Sequence, residues 1–572
     1  MEQTLQNLPK HLMQKIATRA THWTKPTTDG RLPSIGNPTW KMLKYLSISQ
    51  SWRHSCLPLY CQELSISMNR SLTFIEEQHY WSATIRGIQE CHGTHLTRHA
   101  HVIVPVSAII DGTLTKLLSR APYKDARFPL CEVIWLKPSL GQQPLLNKDT
   151  GKWAQNIRGF VDTMYRIFPN TRTMSISSAI TFTDTDRELS AYVSSLFTQL
   201  LQQQKTHSIT ALKYFAPDLC HYFDRSFASN YMGLTSIMYT ECASSPMFVQ
   251  LIRTNHETLQ ELCLEATDNV ELFVQCVVVG NNREKMYGLD ECCCLEYPRL
   301  AKLDIECTED NVSSGMFIAR CAPTGILFPR LEEVRVCQAY PFANDVLFRQ
   351  QQQANNNTLM SMLKRVELHL RVPDIHILLQ HKVLGKNTMP NVTHLDISII
   401  MHNVDQQQID SSMFNQQQQY LELKYLRLTQ LPLTILEVIE ILRTLPRLAQ
   451  LIIDPECPTT TINTTTHNDD DSYNRDLLQD TTNSVHQLVN KYKGTVVAPR
   501  LRHVVFGLGV CADMDGMSHF AVQLAVLCPQ LTCVRWATYS SRFADNCVDL
   551  VGSPMYQEYA ERLRLVDWEK RR

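Results

Sequence analysis

Glycine is scarce, 19 of 572 residues, under half the usual share of about 7%. Folds whose chemistry rests on glycine-rich phosphate loops are therefore disfavoured. No GxxxxGK[ST], GxGxxG or GxSxG run occurs in the chain, so the common NTPase, dinucleotide and hydrolase signatures are missing. An excess of one charge is missing too. Lys and Arg number 55 against 56 Asp and Glu, a net charge of −1, which argues against nucleic-acid binding through bulk positive charge. No apolar run reaches the roughly 18 residues of a membrane-spanning helix. The opening MEQTLQNLPKHLMQKI carries polar residues where a secretory signal needs an apolar core. The 19 cysteines contain no CxxC pair, and in Cys292, Cys293 and Cys294 adjacent side chains point opposite ways, so the triplet alone is no tetrahedral ligand set. Reduced, mostly buried thiols and a cytoplasmic or nuclear location are the expectation.

A hydrophobic fraction of 44% supplies a sizeable core. Its arrangement is periodic. Apolar residues at positions 1, 4 and 6 recur, as in Leu300-Leu303-Ile305, Leu331-Val334-Val336, Leu363-Val366-Leu368, Val392-Leu395-Ile397 and Leu423-Leu426-Leu428. Further copies begin at Leu448, Leu501 and Leu531, and upstream at Ile209, Leu234 and Leu259, with weaker ones at Cys131 and Thr171. Eight of the twelve intervals between these 13 anchors span 25 to 32 residues, and eight anchors have Pro two residues before them. Positions 4 and 6 share one face of a strand, and the proline stops the preceding helix and sets an extended entry. Helix-compatible stretches such as TILEVIEILRTL (434–445) and SHFAVQLAVL (518–527) lie between strands.

Strand, loop, helix and next strand at this spacing resembles the leucine-rich-repeat family over residues 120–545. The ninth position departs from that family's Asn or Cys. Thr308, Ala339, Arg371, Ile400 and Leu431 stand there, so turns satisfied individually are expected in place of a side-chain ladder. The resemblance implies an α/β fold, an irregular leucine-rich-repeat solenoid with a parallel sheet on the concave face and helices and loops on the convex face. Polar inserts at 349–357, 405–419 and 456–484 read as solvated loops.

The N-terminal segment, 1–64, has a different pattern. LPKHLMQKIA (8–17) predicts a helix with Leu12 and Ile16 on one face, and WKMLKYLSISQSWRHSC (40–56) predicts a second. Leu8-Pro9, the Leu12/Ile16 pair, Leu43-x-x-Leu46, the small Ser49 and Trp52-Arg53 resemble an F-box. Trp52 stands 44 residues after Leu8, a longer span than the compact motif, and the added length falls in the polar stretch 21–38. The F-box resemblance implies that Leu8, Pro9, Leu12, Ile16, Leu43, Leu46, Ser49, Trp52 and Arg53 bind a Skp-type adaptor or form the motif's own core. Through that adaptor the chain would join a cullin-based SCF ubiquitin ligase. A helix pair that merely caps the solenoid gives the same pattern. Residues 65–119 are expected to connect and cap, and 546–572 to form a C-terminal helical cap.

Chemistry-bearing clusters are few. CHGTHLTRHAH offers Cys91, His92, His95, His99 and His101, a conceivable zinc set. The β-branched VIVPVSAII after it favours an edge strand with exposed histidines. HETLQ (256–260) has Gln260 where a zincin needs its second His. Glu332-Glu333 are strand neighbours facing opposite ways, unsuited to shared acid/base work. No enzymatic activity and no cofactor are expected.

The residues alternating with the buried ones should line the concave face. They read Lys302-Asp304-Glu306, Glu333-Arg335-Cys337, Arg365-Glu367-His369, His394-Asp396-Ser398 and Tyr425-Arg427-Thr429. This mixed-charge strip suits recognition of a protein target by complementarity. The candidate target-binding residues are Lys302, Asp304, Glu333, Arg335, Arg365, Glu367, His394, Asp396, Tyr425 and Arg427. The expected function is noncatalytic recruitment of a protein substrate to the ligase, the alternative a scaffold without a ligase role.

Overall fold

The computed structural model describes residues 8–20, 50–67, 85, 88–90, 92–120, 123–139, 150–177, 196, 199, 210–215, 232–240, 246–267, 296–307, 328–337, 362–370, 389–399, 422–433, 435–455, 496–507, 514–536 and 541–569. The chain divides into two compact units, Met1–Leu259 and Gln260–Arg572. Both are α/β, and in each the strands pair in parallel and in sequence order.

The first unit opens with helices α1 (Lys10–Ala20) and α2 (Gln50–Cys61). Pro9 precedes α1 and its carbonyl accepts from the amides of Leu12 and Met13, since the first helical amides have no partner within the helix. Met13 and Trp52 are each 2% exposed, and Gln14 Nε2 donates to the Ser55 carbonyl at 2.9 Å, which ties α1 to α2. The strands follow as β1 (Glu63–Ser67), β2 (His99–Pro105), β3 (Val133–Ser139), β4 (Thr173–Ser177), β5 (Ala211–Phe215) and β6 (Ser236–Thr240). Short helices α3 (Val106–Ile110) and α4 (Thr113–Leu118) and the long α5 (Thr150–Ile167) lie between strands, and α6 (Pro246–Thr254) follows β6. In α5 Ile157, Phe160, Val161 and Met164 are buried, the i, i+3, i+4, i+7 stripe that presents one face to a core.

The second unit carries β7 (Glu261–Thr267), β8 (Lys302–Cys307), β9 (Glu333–Cys337), β10 (Arg365–Leu370), β11 (His394–Ile399), β12 (Tyr425–Leu433), β13 (Gln450–Pro455), β14 (His503–Phe506), β15 (Cys533–Trp536) and β16 (Asp567–Glu569). Each pairs in parallel with the next. Helix α7 (Ile435–Arg443) precedes β13, α8 (Met514–Leu527) precedes β15, and α9 (Ser541–Val551) and the one-turn α10 (Ala560–Leu563) precede β16. Phe506, Phe520, Trp536 and Phe543 form an aromatic cluster with centroids 5.1 to 6.0 Å apart, joining the sheet to α8 and α9.

The 1-4-6 pattern is the core. Leu300, Leu303 and Ile305 are at most 1% exposed, and the corresponding residues of the next four copies at most 4%. A backbone ladder joins the copies. The carbonyl one residue past an anchor accepts two amides from the following copy, as Ala301 does from Glu332 and Glu333, Glu332 from Lys364 and Arg365, and Lys364 from Thr393 and His394. At three of the threonines in that place the hydroxyl adds a third bond to the same carbonyl. Thr393 donates to Lys364, Thr532 to Arg502 and Thr235 to Thr210, each at 3.1 Å. Within each unit the strand entrances are thus joined through the main chain. Of the ninth positions, 308, 339, 371 and 400 lie outside the described residues, as do the polar inserts.

The strands extend beyond 120–545 at both ends. β1 and β2 fall upstream, with Cys61 and Thr97 as anchors: Leu64 pairs with Ala100 and Ala100 with Ile134, all buried. At the other end, residues expected to be wholly helical finish in β16. Cys61-Leu64-Ile66 and Thr97-Ala100-Val102 repeat the weaker form of the pattern seen at Cys131 and Thr171, whereas Leu565-Trp568 is followed by Lys570 at the sixth position.

Candidate functional site

The site is the polar face of β7–β12. In a parallel sheet the register fixes which side chains stand side by side, and alternate residues share a face. One row runs Glu261, Lys302, Glu333, Arg365, His394, Tyr425, the next Cys263, Asp304, Arg335, Glu367, Asp396, Arg427, and a third, from β8, Glu306, Cys337, His369, Ser398, Thr429. All ten candidate target-binding residues fall in the first two rows. Glu261 belongs with them and was not anticipated, although the rule of two residues past the anchor, applied to Leu259, points to it.

Charges in these rows compensate one another laterally. Arg335 is the centre: its Nη1 lies 3.1 Å from Asp304, its Nη2 2.9 Å from Glu306 and its Nε 3.8 Å from Glu367. Burial works to lower its pKa, and the surrounding carboxylates outweigh burial and raise it. Asp304 is raised by burial despite Arg335. Lys302 Nζ is 2.7 Å from Glu261, whose carboxylate overcomes burial and raises the ammonium. Arg365 Nε donates to Glu367 at 2.6 Å, and Arg427 Nη1 approaches Asp396 Oδ2 at a looser 3.5 Å. Burial, then Arg335 and Arg365 respectively, lower His369 and His394. At neutral pH the described rows of β7–β12 therefore hold six carboxylates and four cations. The rings of His394 and Tyr425 stack 5.6 Å apart. Glu332, on the opposite parity, pairs with Lys364 at 2.7 Å, as an exposed carboxylate does.

Adaptor candidates separate into three groups. Leu12 and Ile16 are 37% and 40% exposed and lie a turn apart on α1, with Leu8 partly exposed and Pro9 exposed. Arg53 is exposed as well. Trp52 takes the inner of the two roles the resemblance implies: at 2% exposure its indole packs inside and offers no surface to an adaptor. Its aromatic area is worth more buried than wet. Leu43, Leu46 and Ser49 lie outside the described residues.

The histidine cluster also differs from expectation. His99 and His101 share one face of β2, but β2 is an interior strand between β1 and β3, and His101 is 3% exposed. Both rings stack on Trp135, at 5.4 and 4.1 Å. The β-branched run ends at Pro105, after which Val106–Ile110 is helical. Cys91 lies outside the described residues, and among those described no group of three His, Cys, Asp or Glu is placed to hold a metal ion. His256 follows α6 in a turn, its Nδ1 2.7 Å from the Arg253 carbonyl. Among the described cysteines Cys56, Cys61, Cys131, Cys263, Cys528, Cys533 and Cys547 are buried, and burial pushes the thiols of Cys131, Cys528 and Cys547 up to about 12. No described helix is long and apolar enough to cross a membrane.

No protein-family model matches the chain, and comparison with curated proteins finds no match.

Proposed function

We propose that the chain is a substrate receptor of an SCF-type ubiquitin ligase: an F-box-like helix pair followed by an irregular leucine-rich-repeat solenoid. α1 and α2 hold a Skp-type adaptor and through it a cullin, and the polar face of β7–β12 holds a protein target. The work is proximity, because ubiquitin transfer belongs to another subunit. The observation that carries the reading is the outward apolar pair Leu12 and Ile16 on α1, on a helix that the adjoining Met13 anchors in the core. An apolar pair left in water beside a chain of pattern-matched strands is what a helix with a partner presents.

Co-expression with a Skp adaptor tests it. The full chain is expected to co-purify, and Leu12→Asp with Ile16→Asp to abolish capture while leaving the thermal transition unchanged, since both side chains are already exposed. Failure of the intact, folded chain to bind any Skp adaptor tested sinks the ligase role.

A second reading, an interaction scaffold capped by the same helices, is favoured by how α2 joins the sheet. α2 ends at Cys61, two residues before β1, and a Cβ on Gly93 would meet the Cys61 Sγ at 2.4 Å. The helix pair is thus built onto the first strands as a cap is.

A further inference from the structure

Across β8–β10 the first two rows alternate in sign. Row one reads plus, minus, plus at Lys302, Glu333 and Arg365, and row two minus, plus, minus at Asp304, Arg335 and Glu367. At the next step Glu367 faces Asp396 directly, two carboxylates on adjacent strands where the pattern would place a cation. Like charges opposite one another in a sheet are destabilising, and this step supplies one of the two surplus carboxylates on the face, Glu306 of the third row being the other.

A second observation falls on the same patch. Three of its buried polar atoms have no hydrogen-bond partner among the described residues: Asp396 Oδ1, Arg427 Nε and Thr429 Oγ1. Asp396 and Thr429 are each 7% exposed. Thr429 is two residues beyond Arg427 on β12, on the same face and in register with Ser398. Buried polar atoms are normally paired, so a knot of three orphans calls for an explanation. Two of them accept hydrogen bonds and one donates. An ammonium or guanidinium satisfies the acceptors, and a main-chain carbonyl satisfies the donor. Beside the patch, the stacked His394 and Tyr425 rings offer a π face that favours a cation. Arg427, whose side chain is 41% exposed and held by one 3.5 Å contact, turns aside at small cost.

We propose that the β10–β12 part of this face takes one arginine or lysine side chain of an extended segment of a partner protein, seated against Glu367 and Asp396 and over the His394–Tyr425 ring pair. This rests on the reading of the face as a recognition surface and names the chemistry it recognises. The segment's main chain lies across Arg427, and its cation completes the alternation that Glu367 and Asp396 interrupt. Charge complementarity of this kind fixes register and partner choice.

A degenerate library of short peptides with a fixed central residue, Arg, Lys, citrulline or Glu, is bound to the full-length chain. Citrulline keeps the shape of arginine and removes its charge. The Arg and Lys pools are expected to bind about tenfold more tightly than the citrulline and Glu pools, and Asp396→Asn or Glu367→Gln to erase that margin. Equal binding of Arg and citrulline pools, a margin that survives in both variants, or no binding by any pool overturns the proposal. The comparison of pools on the unaltered chain needs no variant to fold. Adaptor capture is scored apart. Capture without an arginine margin overturns the cation site alone, and a margin without capture overturns the receptor reading and leaves this surface to the scaffold.

Discussion

Thr97 Oγ1 donates to the Cys61 carbonyl at 2.7 Å across the entrance to β1 and β2, and both residues are fully buried. The pair occupies two anchor positions where leucine would be usual. A hydroxyl serves there because it satisfies the carbonyl on which α2 ends. Thr97→Val keeps the shape and removes the donor, leaving that carbonyl buried with one bond fewer. The expected loss is about 1–3 kcal/mol, read as a lower urea midpoint at unchanged slope. An unchanged midpoint would show that the carbonyl is satisfied without Thr97.

Gly507 ends β14 against Asp454 of β13. Its amide donates to the Ile453 carbonyl at 2.7 Å, and a Cβ there would lie 1.6 Å from Asp454 Oδ1. Asp454 is 9% exposed and has little room to retreat. Gly507→Ala is expected to destabilise by about 1–3 kcal/mol through overpacking. Asp454→Ala should recover part of that in the double variant, a coupling that a double-mutant cycle measures. Additive losses would mean that the two side chains do not meet.

The repeat was readable because its signal is apolar, periodic and punctuated by proline. Leu300, Leu303 and Ile305 announce both the strand and its buried face, and the alternation then assigns Lys302 and Asp304 to the other face without further information. Lateral charge pairing was not readable. That Arg335 meets Asp304, Glu306 and Glu367 follows from register, and register between copies some 30 residues apart is set by the backbone ladder, not by local spacing. Which of its two roles Trp52 takes was not readable either, because a tryptophan after a polar helix turn looks the same in sequence whether it faces a partner or the core. β1 and β2 were legible by the same rule, since Cys61-Leu64-Ile66 and Thr97-Ala100-Val102 follow the pattern with a thiol and a hydroxyl at its first position, while at β16 Lys570 breaks it.

The division of α1 into a buried and an exposed side gives a contrast that separates stability from binding. Met13→Ala removes a side chain 2% exposed and is expected to cost about 2–5 kcal/mol, and Trp52→Ala about 3–5 kcal/mol. Leu12→Ala and Ile16→Ala, at 37% and 40% exposure, should each fall within about 0.5 kcal/mol of the parent. Chemical denaturation of the four variants checks the order. If Leu12 or Ile16 proves as costly as Met13, the outer side of α1 is covered within the chain and is not available to an adaptor.

Asp396 gives the clearest dependence on pH. Burial, with a contribution from the Glu367 charge and against the pull of Arg427, pushes its carboxyl from 3.8 up to about 6. Between those values the folded chain holds a proton that the unfolded chain has released. The carboxyl therefore contributes its full stability below the unfolded value and loses it as pH rises through about 6, the reverse of a salt-bridged aspartate. Two pKa units correspond to about 3 kcal/mol. Asp396→Asn cannot ionise, so its stability relative to the parent should rise by roughly that amount between about pH 4 and about pH 7.5. Urea denaturation of both chains at the two pH values measures the difference. A difference that stays flat would mean that Asp396 ionises as freely in the fold as in water.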